Sequence, residues 1–149
     1  MTSKGKRTYE DYLHQCPYFT SASFARVILQ MAEEEFDFGS MGFSPAHIHL
    51  IILVNDNEGI SPSELAQKLN LAPSTITRMI DKLVAKDVLV RKTEGKNSRT
   101  YPTGKSVDMQ KGILESYTRL YKRFTDVLGK KEGYRLIKMI NEATAKLSG

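Results

Sequence analysis

The sequence predicts a mainly α-helical fold interrupted by one two-stranded β-hairpin. Three observations predict it. Apolar residues recur at three- and four-residue steps through most of the chain. Serine–proline pairs mark helix starts at Ser44-Pro45 and Ser61-Pro62. The run Val88-Leu89-Val90 favours strand, as do Thr100 and Tyr101, and the polar segment between them contains Gly95.

Taken in order, residues 1–16 are polar and aromatic, with a short helix expected over Tyr9, Tyr12 and Leu13. Pro17 disfavours helical geometry at Cys16, so the next helix begins at or after Pro17. Phe24, Val27, Ile28, Met31 and Glu35 recur along it at helical spacing, and it is expected to stop at Gly39. The helix opened by Ser44-Pro45 is apolar on nearly all sides (Ile48, Leu50, Ile51, Ile52, Leu53, Val54), which places it centrally. In Ser61-Pro62-Ser63-Glu64 a serine cap, a first-turn proline and a glutamate combine into a capping box before a short helix ending near Asn70. A further helix runs from about Ala72-Pro73-Ser74 to Lys86 with Ile76, Met79, Ile80 and Leu83 inside. The hairpin follows, its polar tip expected over residues 93–98. After Gly104 come a long helix stepping through Ile113, Tyr117, Leu120, Tyr121, Phe124 and Leu128, and a last one with Tyr134, Ile137, Ile140 and Leu147.

Size and charge bound the function. A chain of 149 residues, 40% hydrophobic and 26% charged, suits one globular domain with its own core. The longest apolar stretch, around Ile48–Val54, is far short of the roughly 20 residues that cross a bilayer. The basic start Met1–Arg7 has no apolar stretch behind it and does not read as a signal peptide. With a single cysteine, the expectation is a cytoplasmic protein without a disulfide framework or membrane association. Residues 60–105 hold nine Lys/Arg against four acids, which equals the whole net charge of +5 and leaves the remainder balanced. That localisation fits a segment facing an anionic polymer. There is no glycine-rich phosphate loop, nucleophile motif or triad, so no catalytic residue and no cofactor is assigned.

Two short helices joined by a tight turn and followed by a hairpin form a winged helix-turn-helix. Ala66 is small where the two helices cross, and Asn70 suits a left-handed turn residue. The second helix presents Ser74, Thr75, Thr77, Arg78, Asp81 and Lys82 outward. Short hydroxyls at a helix start can bond phosphate or base edges, and Arg78 can reach a guanine edge in the major groove. Arg91, Lys92, Lys96 and Arg99 make the hairpin basic. The expected DNA-binding set is therefore Ser74, Thr75, Thr77, Arg78, Lys82, Arg91, Lys92, Lys96, Asn97 and Arg99.

Leu65-Ala66-Gln67-Lys68-Leu69, Pro73-Ser74-Thr75-Ile76-Thr77-Arg78-Met79-Ile80-Asp81-Lys82-Leu83 and Val88-Leu89-Val90-Arg91-Lys92 resemble the MarR-family pattern of helix, recognition helix and first wing strand. Tyr101-Pro102-Thr103-Gly104-Lys105 is similar to that family's close of the wing. The resemblance implies a homodimer built from terminal helices (residues 1–42 and 106–149) around a winged-helix region, 43–105. It implies binding to double-stranded DNA at a near-palindromic site and, in a ligand-responsive repressor, a small aromatic effector. Many members carry Asp-x-Arg at the wing tip. Here Lys96-Asn97-Ser98-Arg99 has no Asp and an apparently shorter return strand, leaving Arg99, Lys96 and Asn97 as alternatives for the minor-groove contact.

Other residues have plainer roles. His14, His47 and His49 lack metal-ligand spacing, and His47 and His49 point in different directions on a helix, so no metal is assigned. Glu33-Glu34-Glu35 reads as a solvated helix end. The Tyr117/Tyr121/Phe124 stripe suits core or dimer packing, or an effector pocket. Two alternatives stand beside the leading reading: a winged-helix protein-interaction module that does not bind DNA, and a regulator gated by oxidation of Cys16 beside Tyr12 and Tyr18. Under the oxidation reading, peroxide or a quinone abolishes duplex binding by the wild type and spares Cys16→Ser; equal loss in both proteins removes it.

Overall fold

The computed structural model describes residues 7–149, so Met1–Lys6 of the basic N-terminal reading lie outside the described residues. Helix α1 spans Tyr9–Gln15 and starts in a reciprocal cap: Thr8 Oγ1 accepts from the Asp11 amide at 3.3 Å, and Asp11 accepts the Thr8 amide at 2.7 Å. Helix α2 spans Pro17–Glu35 with proline in its first turn. It ends short of the expected Gly39, because Phe36 leaves helical geometry (φ −90°, ψ 111°) and is buried in the core. One 3₁₀ turn, Gly39–Met41, and left-handed Gly42 then redirect the chain.

Helix α3, Pro45–Asp56, is the buried element the sequence predicts, with Ile48, Leu50, Ile51 and Val54 fully enclosed. Helix α4, Pro62–Leu69, opens on the expected capping box: Ser61 Oγ accepts from the Glu64 amide (3.1 Å) and Glu64 accepts from the Ser61 amide (2.9 Å). Asn70 ends it with φ 56° and ψ 42°, the left-handed conformation expected of it. Helix α5, Pro73–Ala85, buries Ile76, Met79, Ile80 and Leu83.

Strands β1 (Leu89–Glu94) and β2 (Asn97–Pro102) pair antiparallel from Leu89–Pro102 to Glu94–Asn97. The ladder thus runs to the tip through polar residues expected to be turn, and the return strand is as long as the outgoing one. Two residues, Gly95 and Lys96, close it, with positive φ (64°) at the glycine. Thr103 joins the wing to the next helix: its hydroxyl donates to the carbonyls of Asp87 (2.7 Å) and Val88 (2.8 Å) and accepts from the Ser106 amide (3.3 Å).

Helix α6, Gly104–Leu128, and helix α7, Lys130–Leu147, complete the chain. They approach closely at Gly133, where a Cβ would lie 3.0 Å from Thr125 Cγ2. The core runs from Ala32 and Phe36 through α3, α4 and α5 to Val88, Leu89 and Ile113. Glu34 and Glu35 are not simply a solvated helix end. Arg123 Nη1 lies 2.6 Å from Glu34 and 3.2 Å from Glu35, and Arg119 Nη2 donates to the Glu35 carbonyl (2.8 Å) and Asp37 (2.7 Å). These pairs bind the end of α2 to α6, a contact between residues too far apart in sequence for local patterning to reveal.

The left-handed turn at Asn70 is open to test. Asn70→Ala should cost about 1 kcal/mol, because a Cβ without a local polar group is disfavoured there, whereas Asn70→Gly should be neutral or slightly stabilising. Urea denaturation of the three proteins checks it.

Candidate nucleic-acid interface

Helix α5 is amphipathic. Ser74, Thr77, Arg78, Asp81 and Lys82 are exposed, Thr75 is half-buried, and the opposite face is core. Its N-cap is Ala72, which offers no side-chain acceptor. Pro73 has no amide proton and the Thr75 amide donates to the Ala72 carbonyl at 3.0 Å, so the Ser74 amide is the one left to an outside acceptor, and the helix dipole makes an anion the favourable one. Thr77 Oγ1 donates back to the Pro73 carbonyl at 3.1 Å, so its methyl group and a hydroxyl lone pair face outward.

The basic side chains fall into two groups. Arg91 is held by Asp81 at 2.6 Å, which fixes β1 beside α5. Lys82 donates to the Gly42 carbonyl, tying α5 to the corner before α3. Lys92 lies over the Tyr101 ring, 4.7 Å from its centre. Arg99 is half-buried in β2 and donates to the Gly59 carbonyl at 3.1 Å, drawn back from the tip. It also adds to the field that keeps the Glu64 carboxyl below its ordinary pKa, chiefly an effect of the Ser61 amide and hydroxyl. By contrast Arg78, Lys96 and Asn97 are exposed and make no side-chain ion pair or hydrogen bond among the described residues. A polar groove of about 410 Å³ lies between Ser61–Glu64 and Lys96–Arg99.

The sequence-predicted residues are thus brought to one composite surface of recognition helix and wing. Local pattern did not reveal that Arg91, Lys82 and Arg99 have internal partners. Asp81, a lone acid on a basic face, was the available signal for one of those pairs.

A second feature lies on the other side of α3. An apolar cleft of about 790 Å³ opens between α2, α6 and α7, lined by Phe24, Ile28, Phe36, Leu120 and Ile140, with His49 at its edge. His49 lies 6.3 Å from the Phe36 ring and 5.8 Å from Tyr117 (centre to centre), and its apolar surroundings hold its pKa below the ordinary histidine value. Burial pushes the Tyr117 hydroxyl up to about 12. Tyr121 and Phe124 line an adjoining hollow with Ile137. His14 packs edge-on against Phe19, and His47 faces Phe43, so the histidines are dispersed. No group of three or more metal-ligating side chains occurs among the described residues. Cys16 is half-buried at the junction of α1 and α2. No described helix is long and apolar enough to cross a membrane.

A helix-turn-helix followed by a basic two-stranded wing is a winged-helix arrangement. Residues 43–101 match the model of the MarR family. The fold is similar to a transcriptional repressor, CouR, bound to a 23-mer DNA duplex (TM-score 0.78, 17% identity, 93% of this chain and 99% of that one). It is equally similar to CouR bound to p-coumaroyl-CoA (TM-score 0.78, 18% identity, 94% and 98%). The transcriptional regulator SlyA follows at TM-score 0.75 and 17% identity, over 89% and 95%. No curated protein sequence matches the chain significantly.

The Asp81–Arg91 pair should position the wing more than it stabilises the protein. Both side chains keep solvent access (56% and 35%), so an Asp81→Asn/Arg91→Met double-mutant cycle should give under about 1 kcal/mol of coupling in urea denaturation.

Proposed function

We propose that the chain is a sequence-specific double-stranded DNA-binding transcription regulator, a homodimeric repressor that releases DNA when a small aromatic molecule binds. The observation that carries the DNA reading is the uncapped start of α5 beside exposed Ser74, Thr77 and Arg78, with the wing fixed against the same helix through Arg91. In this reading Arg78 and Thr75 read base edges in the major groove. Lys92 and Lys96 anchor phosphates, and Lys96 or Asn97 at the wing tip reaches the minor groove. Arg99 supports the wing from behind through Gly59.

Dimerisation is supported by the apolar surface left open on the terminal helices. Tyr9, Tyr12, Tyr18 and Val27 on one side and Tyr134, Met139 and Leu147 on the other are all more than half exposed. Residues 1–42 and 106–149 would form the dimer region and 43–105 the reading head. The cleft around Phe24, Ile28 and His49 has the size and apolar lining of a small-molecule site. An effector there would contact α2, α3, α6 and α7 together.

The decisive experiment is anisotropy titration of duplex DNA from upstream of the protein's own reading frame. Binding should protect two half-sites about 34 Å apart and weaken steeply with salt, by roughly 0.9 log units per log of salt for each phosphate neutralised. Arg78→Ala should cost roughly 1–3 kcal/mol and relax preference at one base pair per half-site, whereas Lys96→Ala should weaken all sequences alike and reduce the salt slope. Absence of duplex binding, with capture of a protein partner instead, would favour the interaction-module reading.

A further inference from the structure

The corner that joins the terminal helices to the winged helix contains an unusual cap. In a capping box the third helical residue is ordinarily Glu or Gln, accepting the amide of the cap residue. Here that residue is His47. Its Nδ1 accepts from the Ser44 amide at 3.0 Å and lies 2.8 Å from Ser44 Oγ. An amide can only donate, so Nδ1 must be unprotonated in this geometry. The Lys82 ammonium of the recognition helix bears on the same ring and is docked on the Gly42 carbonyl. Gly42 takes the left-handed turn (φ 76°) that glycine favours, and a Cβ there would meet Lys82 Nζ at 3.5 Å, an ordinary contact distance.

We infer that His47 is a proton-operated latch on Lys82: the neutral ring keeps the 42–47 corner closed on the recognition helix, and the imidazolium drives Lys82 off the Gly42 carbonyl toward the DNA-facing side of α5. The inference rests on the DNA-binding reading above. Three effects act together when the ring gains a proton. Nδ1 stops accepting and confronts the Ser44 amide with a second donor. A positive charge appears in the first turn of α3, where the helix dipole disfavours it. Two cations, His47 and Lys82, then share one corner. No carboxylate lies within ion-pair distance of His47 among the described residues, and His49, the other titratable group on α3, turns instead to Phe36 and Tyr117. Burial and the Lys82 charge accordingly hold the His47 pKa below its ordinary value.

The sign follows. In the free protein the neutral form is favoured, so its contribution to stability is complete above about pH 6.5 and is lost as pH falls through the lowered folded pKa. On duplex DNA the phosphates favour both the imidazolium and the released ammonium. Binding therefore takes up protons, and affinity rises as pH falls.

The test measures duplex affinity and urea stability between pH 8 and pH 5.5 at constant ionic strength, for wild type, His47→Gln and Lys82→Met, with ring-proton NMR titration of His47. Glutamine keeps the cap acceptor and cannot become charged, so His47→Gln should match wild type at pH 8. Wild-type affinity should rise roughly threefold to tenfold per subunit on acidification. His47→Gln should lose that rise and also part of the acid loss of stability. Lys82→Met should bind more weakly throughout and lose the rise as well. NMR should find the His47 pKa below the ordinary value in the free protein and higher in the complex. Duplex binding with the same pH dependence in wild type and His47→Gln, or affinity that falls with acid only when His47 is present, overturns the latch and leaves DNA binding standing. No duplex binding by any of the proteins at any pH overturns both.

Discussion

Helix α3 is the element against which the rest is built. Ile48, Leu50, Ile51 and Val54 are shut off from solvent, and α2, α4, β2 and α6 all pack on them. Burying each such side chain contributes about 1.5–3 kcal/mol. A helix apolar on nearly all sides has no solvent face to orient it, so its neighbours enclose it rather than line one flank. That arrangement explains how the helix-turn-helix, the wing and the terminal helices share one core: α3 packs against all of them. The polar side chains at its ends make the joints. Asn55 donates to the Ser106 carbonyl at 3.1 Å at one end, and Ser44 and His47 close the other.

The charge distribution has more structure than its sum. Net charge located the basic segment but could not sort its members. Arg91, Lys82 and Arg99 spend their donors on Asp81, Gly42 and Gly59, which orient α5 and the wing. Arg78 and Lys96 are left to solvent. A cation already tied to the protein shapes the surface, whereas an untied one is free for direct contact with an anionic partner. Substitutions of the two kinds should not be compared as equivalent losses of charge.

What was legible in the sequence was mostly what is decided within one turn of chain. Ser61-Pro62-Ser63-Glu64 forms the cap it spells, Asn70 takes the left-handed turn, and Pro17 and Pro45 head their helices. The central position of α3 was also readable, from side chains that are apolar on nearly all sides of the helix. Where long-range packing competes, local signals lost. Phe36 is worth more in the core than another helical turn toward Gly39. Thr93 and Ser98 pair across the wing although they lie in the polar segment between the two β-favouring runs, because the ladder begun by Leu89 extends to a glycine turn. The partners of Lys82, Arg99, Arg119 and Arg123 lie 40 or more residues away, beyond any local pattern.

Helix α6 carries a mechanical consequence. Its 25 residues form one uninterrupted rod of about 37 Å. At its start Thr103 is hydrogen-bonded to the base of the wing through Asp87 and Val88, and near its end Phe124 and Thr125 bear on Gly133 of α7. A rod anchored at both ends converts rotation into displacement. A tilt of about 5° imposed near α7 would carry the wing base through about 3 Å, comparable to the separation of adjacent base pairs. Under the proposed function, a shift too small to disturb packing among the terminal helices is thus enough to put the wing out of register with a groove of the duplex.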